Sequence, residues 1–223
     1  MVRQARSEAT RRRIIAAAVE LFNDAGYPAT GLGDIIDRAR MTKGALYYHF
    51  DSKEALAMAI IEEGTVKLLG AFDRDSSAPA LERLIHGSFL VADLLSTDDV
   101  ARCGGHLLRV IGDFNSIAAT VYTGWLEAFV ARVVEAAEEG DLRPDVDPQA
   151  IGETVMCAML GLEVLTTAID SRDGVLERLA RVWGLLLPTI VAEESLPYFQ
   201  EYLARESMRH VPDSTSTDST STD

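Results

Sequence analysis

Residues Asp34–Ile60 read DIIDRARMTKGALYYHFDSKEALAMAI, and the apolar spacing here predicts short helices, not strands. Leu32, Ile35, Ile36 and Ala39 fall at i, i+3, i+4 and i+7, one face of a short helix, and Thr30 stands where its N-cap is expected. Arg40 and Met41 form a tight link. Thr42 caps a further helix running to about His49, with Leu46 and Phe50 at i and i+4 turned inward. Another helix begins at Asp51, which with Glu54 makes a capping box. Upstream, Ile14, Ile15, Ala18, Leu21, Phe22 and Ala25 recur at helical spacing, with Ser7 as N-cap and Gly26 as the stop. Two short helices joined by a tight turn and propped by a longer one describe a helix-turn-helix, whose second helix enters the major groove.

The outward residues of that second helix point the same way. Lys43, Tyr47, Tyr48 and His49 cluster on a segment whose apolar residues are Ala45, Leu46 and Phe50. Gly44 removes side-chain bulk in the first turn, where backbone and DNA come close. Thr42 and Lys53 stand at successive helix N-termini, where amides and the helix dipole favour phosphate. The net charge of -14 argues against nucleic acid only until its distribution is considered. Residues 1–53 carry nine Lys/Arg and six Asp/Glu, a net of +3, which leaves -17 on the remainder. A weakly basic head on an acidic body orients the molecule towards DNA.

Composition sets the outer bounds. With 223 residues, 48% of them hydrophobic and 25% charged, the chain has enough apolar surface for a real core, in one large domain or two unequal ones. The apolar run after Arg11–Arg13 ends at Glu20, too early for a signal peptide, and the run Val155–Leu162 stops at Glu163, short of the ~20 residues of a membrane span. Cys103 and Cys157 show no zinc or disulfide spacing and read as two small buried residues of a cytoplasmic protein. No GxSxG, HExxH, P-loop or CxxC pattern is present, so neither an enzyme, nor a cofactor, nor a metal site is expected.

Beyond Ile60 the pattern stays helical, near residues 52–73, 79–96, 98–112, 116–139, 147–170, 174–192 and 195–209. The tail from Asp213 is low-complexity and expected to be disordered. Val121, Tyr122, Trp125, Leu126, Phe129, Val130, Val133 and Val134 give one broad apolar face, expected to be widely buried. Tyr122, Phe129, Met156 and Met159 are candidates for lining a pocket, with plain core the competing reading. His86, His106 and Arg109 lie within otherwise apolar helices, where a role hydrogen-bonding a ligand competes with ordinary satisfied or exposed side chains. Val155–Ile169 and Val182–Ile190 are apolar nearly all round and need cover on every side.

The segment Asp34–Ile60 resembles the TetR family of bacterial repressors, whose signature is a T/S-K-G-x-L-Y-x-H-F recognition helix followed by a Ser-Lys cap. From MVRQARSEATRRRII through TKGALYYHF it is most similar to the γ-butyrolactone autoregulator receptors of actinomycetes. The resemblance implies that Thr30, Thr42, Tyr47, His49 and Lys53 bind phosphate, while Lys43, Ala45 and Tyr48 lie near base edges, with Gly44 between them. Arg3 and Arg6 would precede the first helix, as a basic arm or a solvated tip. It further implies that Trp125 lies in a ligand cavity. The last two long helices would form a four-helix bundle across a two-fold axis, with Ala158, Gly161, Trp183 and Leu186 at the seam; both being interior to one chain is the alternative. Arg40 replaces the family's usual turn glycine, so a rearranged turn is expected, and Gly31 and Gly33 weaken the start of their helix.

The expectation is therefore an all-α chain: residues 1–53 a three-helix DNA-binding domain, 54–212 a ligand-binding and dimerisation domain, 213–223 a tail. It would bind a palindromic double-stranded operator as a homodimer and leave it when a small, largely apolar effector, such as a γ-butyrolactone-like or furan signal, enters the body. The alternatives are an activator, or a helical dimeric adaptor that never touches DNA.

Overall fold

The computed structural model describes residues 2–73, 77–112, 117–169 and 174–209. They form ten helices with no strand among them: α1 (Val2–Ala25), α2 (Leu32–Ala39), α3 (Lys43–His49), α4 (Lys53–Gly70), α5 (Ala80–Thr97), α6 (Asp99–Gly112), α7 (Ile117–Glu138), α8 (Pro148–Ala168), α9 (Val175–Ile190) and α10 (Leu196–Arg209). A single antiparallel bridge, Leu142 with Val191, ties the loop after α7 to the end of α9. The chain is all-α, as expected. The tail 213–223 lies outside the described residues.

Two compact units divide the chain. The first comprises Met1–Ser76 and Leu94–Ala128. Its core is built from the inward stripes of α1 (Ile14, Ala18, Phe22), α2 (Ile35), α3 (Leu46), α4 (Leu56, Ile60) and α6 (Leu107, Leu108), all buried. The closest helix pair in this unit is α4 against α6, and glycine permits it. A Cβ on Gly64 would stand 3.1 Å from Gly104 Cα, and one on Gly104 would stand 3.0 Å from the Ile60 carbonyl oxygen, so the two backbones touch. Asp98 locks the seam's end. Its carboxylate accepts from the Val100 and Ala101 amides and from Lys67 Nζ at 2.5 Å. Burial opposes ionisation of Asp98, but these donors outweigh it and hold its carboxyl below the ordinary range. Buried Cys103 has its thiol pushed up to about 12 by desolvation.

The second unit comprises Ser77–Asp93 and Phe129–Asp223. Trp183 of α9 is its largest buried side chain, and its indole donates to Ser88 Oγ at 2.8 Å, which donates to the Ile85 carbonyl at 2.6 Å. α7 and α8 approach closely at Gly152, where a Cβ would meet Val130 Cγ2 at 2.7 Å. The fully buried Glu206 of α10 is answered by His86 of α5 at 2.7 Å and by Arg209 at 2.5 Å.

Several expectations need correction. Ser7 does not cap α1, because the helix already runs from Val2, and Arg3 and Arg6 are helical instead of forming an arm. α2 is capped from Gly31, whose amide donates to Asp34 Oδ2 at 2.8 Å, and not by Thr30; α4 is capped by Ser52, which accepts from Ala55 N, and not by Asp51. Arg40 does not rearrange the turn but adopts the left-handed conformation itself. Cys157 is exposed, not buried. The face of α7 is buried less than its pattern suggests, since Phe129 and Val133 are buried but Val134 is exposed. By length and mean hydropathy α7 and α8 each suffice to cross a membrane, although charged residues interrupt every long apolar run.

Candidate nucleic-acid interface

Helix α3 is seven residues long and held by its ends. Thr42 Oγ1 accepts from the Ala45 amide at 3.2 Å, leaving its own hydroxyl proton to donate outward. At the other end Phe50 is buried, with the Arg11 guanidinium 5.5 Å from its ring centroid. Leu46 is buried between them. This anchoring leaves the rest of the helix facing out: Lys43 and Gly44 are exposed, Tyr48 is 76% exposed and Tyr47 41%. Lys43 Nζ rests 5.6 Å from the Tyr47 ring centroid, and Tyr48 meets His49 edge-on at 5.0 Å, so the helix carries two polar and aromatic pairs. Ala45 and His49 are half-buried at its edges. Nothing lies within 4 Å of a Cβ placed on Gly44, so the protein itself does not require glycine there.

The turn before α3 is closed by backbone hydrogen bonds. Arg40 sits at φ 50° and ψ 52°, its amide bonded to the Asp37 carbonyl and the Met41 amide to the Ile36 carbonyl, a Schellman-type closure. Arg13 of α1 reaches the last carbonyl of α2, donating to Ala39 O at 2.9 Å.

Two residues expected on this surface are placed elsewhere. Thr30 is buried, and its hydroxyl is directed at the Gly26 and Leu21 carbonyls at 2.9 and 3.3 Å, closing the end of α1. Lys53 is half-buried and donates to the carbonyls of Tyr27 and Thr30. These contacts are not legible in the sequence, because a helix-terminal Thr or Lys reads the same whether it faces phosphate or a neighbouring loop.

The pocket candidates divide. Tyr122, Trp125 and His106 belong to the first unit, where Tyr122 and Trp125 pack edge-on at 5.8 Å against its core. Phe129, Met156 and Met159 belong to the second, the first two buried and the third half-buried. Trp125 Nε1 is buried with no hydrogen-bond partner, and so is Thr166 Oγ1 of α8, which sequence reasoning passed over. Nothing in the sequence separates Thr166 from Thr167, whose hydroxyl bonds back to the Glu163 carbonyl. His86 is a satisfied histidine, through Glu206.

Of the expected seam residues, Gly161 is exposed and Ala158 and Leu186 are half-buried, but Trp183 is buried within its own unit. The exposed apolar residues there are instead Val164 and Leu165 of α8, Ile169 at its C-cap and Leu185 of α9.

Residues 14–60 match the family described as bacterial regulatory proteins, tetR family, and residues 78–192 match the tetracyclin repressor-like C-terminal domain. The chain is 34% identical over 191 residues to the A-factor receptor protein of Streptomyces griseus, covering 85% of this chain and 67% of that one. A crystal structure of a gamma-butyrolactone receptor superposes with a TM-score of 0.75 at 28% identity, covering 92% of this chain and 99% of its own. CprB of Streptomyces coelicolor, solved in complex with its biological operator sequence, gives 0.74 at 30% identity over the same shares. With an exposed, end-anchored α3 behind a left-handed turn and family matches over both parts of the sequence, the chain belongs to the TetR family of bacterial regulatory proteins.

Proposed function

We propose that this DNA-binding regulator, which is not an enzyme, holds a palindromic operator as a homodimer and represses until a small apolar effector of the γ-butyrolactone or furan kind releases it. The observation that carries the reading is the outward display of Lys43, Tyr47 and Tyr48 on a helix fixed by Leu46 and Phe50. Thr42, Tyr47 and His49 supply donors for phosphate, which set register. Lys43, Ala45 and Tyr48 face base edges, which set sequence, and Gly44 lets the backbone come close. Residues 1–53 serve DNA and residues 54–212 serve effector and partner, in the cytoplasm.

Effector binding is assigned to the neighbourhood of Trp125, with Tyr122 beside it and His106 in the same unit. A buried indole N–H without a partner costs about 1–3 kcal/mol, and a ligand carbonyl or ring oxygen arriving there removes that cost. Release requires the effector to favour a state that fits the operator poorly. The α4–α6 seam supports such coupling, because backbones in contact at Gly64 and Gly104 make a displacement of α6 felt by α4 directly.

The test is a mobility shift on DNA flanking the protein's own gene, with candidate lactones and furans added. Retardation that one effector class abolishes, and that Trp125→Phe renders insensitive to effector, is the expected result. An operator affinity unaltered by every such compound, each shown to bind, would remove release by ligand from the account.

A further inference from the structure

We propose that Arg40, in the turn between α2 and α3, is a DNA-backbone ligand that clamps an operator phosphate beside the bases facing α3. The inference rests on the DNA-binding reading above. Among the described residues, Arg40 is the only one other than glycine with a positive φ. Glycine would adopt that conformation without a Cβ clash, so what the position gains is a side chain, and that side chain is spent on nothing in the protein. It is exposed and gives no hydrogen bond or ion pair to another described residue. The groove it shares with Asp34, Asp37 and Arg38 offers two carboxylates. Asp34 is nevertheless held by Gly31 N and Arg38 by Glu20, and Arg40 pairs with neither aspartate.

Capping does not account for the cation. A positive charge at a helix C-terminus is favoured by the dipole, but the end of α2 is already served. Arg13 donates to Ala39 O at 2.9 Å, and the Arg40 and Met41 amides close on the Asp37 and Ile36 carbonyls. Those closures use the backbone of residue 40 and not its guanidinium. Arg40 stands two residues before the Thr42 cap of α3. A recognition helix enters the groove by its N-terminal residues, so the turn ahead of it comes to the groove wall, where the phosphates run. A guanidinium presents a planar fork of donors that fits a phosphate bidentately. The strained conformation is thus kept for a contact that glycine cannot make.

Salt dependence and phosphate-ethylation interference test the contact. The probe is an operator duplex selected against the wild-type protein; failure to select any duplex would sink the DNA-binding reading itself, before Arg40 is in question. On that duplex Arg40→Gly and Arg40→Ala are each expected to weaken binding about tenfold. Each should also lower the slope of log K against log salt by about 1.8, that is about 0.9 for each of two subunits. The ranking of single-base operator variants should stay the same, since a phosphate contact carries no sequence information. Arg40→Lys keeps the charge and is expected to keep the slope. Ethylation should reveal a phosphate in each half-site whose modification weakens wild-type binding and leaves that of Arg40→Ala unaffected. An unchanged slope in both the glycine and the alanine variant overturns the proposal, and so does an interference pattern identical for wild type and Arg40→Ala. Glycine relaxes the turn while alanine retains its strain, so a loss shared by both belongs to the side chain. A loss in the alanine variant alone would assign the effect to the turn and reject the contact. Should Arg40→Ala fail to fold, Arg40→Gly decides alone by its slope.

Discussion

At φ 50° and ψ 52° the Arg40 backbone occupies a region that costs a residue with a Cβ roughly 1–2 kcal/mol. The Schellman closure needs that conformation, and here a cation provides it where glycine would do so more cheaply. Arg40→Gly relieves the strain but enlarges the unfolded ensemble by about 0.4–1 kcal/mol, so a net gain of about 0.5 kcal/mol and a midpoint raised by about 1–3 °C are expected. Arg40→Ala keeps the Cβ and gains nothing, which thermal unfolding of the pair distinguishes from an effect of charge. Gly44 is the opposite case. A methyl group there meets open space, so Gly44→Ala is expected to leave stability equal or up to about 0.5 kcal/mol higher while operator affinity falls at least tenfold. Intact affinity would mean that DNA does not approach the first turn of α3. Thr166 isolates a third kind of residue, a buried hydroxyl without a partner. Thr166→Val keeps the shape and removes the unanswered group, for an expected gain of about 1 kcal/mol in denaturant unfolding of the ligand-free protein.

The helices themselves were legible in the sequence, because apolar periodicity survives whatever each helix packs against: α2, α3 and α5 to α10 lie within three residues of their predicted ends. Caps were not, since neighbouring polar residues compete for one orphan amide and only packing decides between Thr30 and Gly31 or between Asp51 and Ser52. The same limit hid Trp183, an indole that reads identically for an outer seam or an inner core until Ser88 is found beneath it. The glycine seam of α4 and α6 was also invisible, because Gly64 and Gly104 are far apart in sequence and nothing local announces that they meet. Gly104→Ala forces a methyl against the Ile60 carbonyl and Gly64 Cα, both backbone; overpacking of about 1–3 kcal/mol outweighs the helix propensity gained. Gly124→Ala, in open space within α7, is expected to stabilise by up to about 1 kcal/mol. The end of the seam adds a pH signature. Because the folded carboxyl of Asp98 titrates below its ordinary value, its contribution is present above the unfolded pKa and lost as pH falls through the folded one. Asp98→Asn, which keeps the cap but removes the charge paired with Lys67, is therefore expected to cost up to about 1 kcal/mol at pH 7 and progressively less as the pH falls through the folded pKa, as unfolding midpoints across the acid range will register.

For the whole molecule, the decisive quantity is how many heads engage DNA at once. A seven-residue reading helix touches few base edges, and its half-site gains useful affinity when a second head is held about 34–36 Å away, one helical turn along the duplex. The surface proposed for joining two copies is the apolar side of α8 and α9, where Leu165 is 47% and Leu185 77% exposed. Both side chains are exposed and neither is among the buried core residues, so replacing both with aspartate is expected to change association more than it disturbs the core. Leu165→Asp with Leu185→Asp is expected to sediment as a folded monomer of 24.3 kDa and to lose about 10²–10⁴ in operator affinity, the effective-concentration advantage of a linked second head. The salt slope carries the sharper test. A monomer pairs with half as many phosphates, so the slope should fall to about half of the wild-type value, whereas a variant that stayed dimeric but misaligned its heads would weaken binding by a different route. A monomer that kept the full slope would show that one subunit engages every phosphate and that the second head adds none.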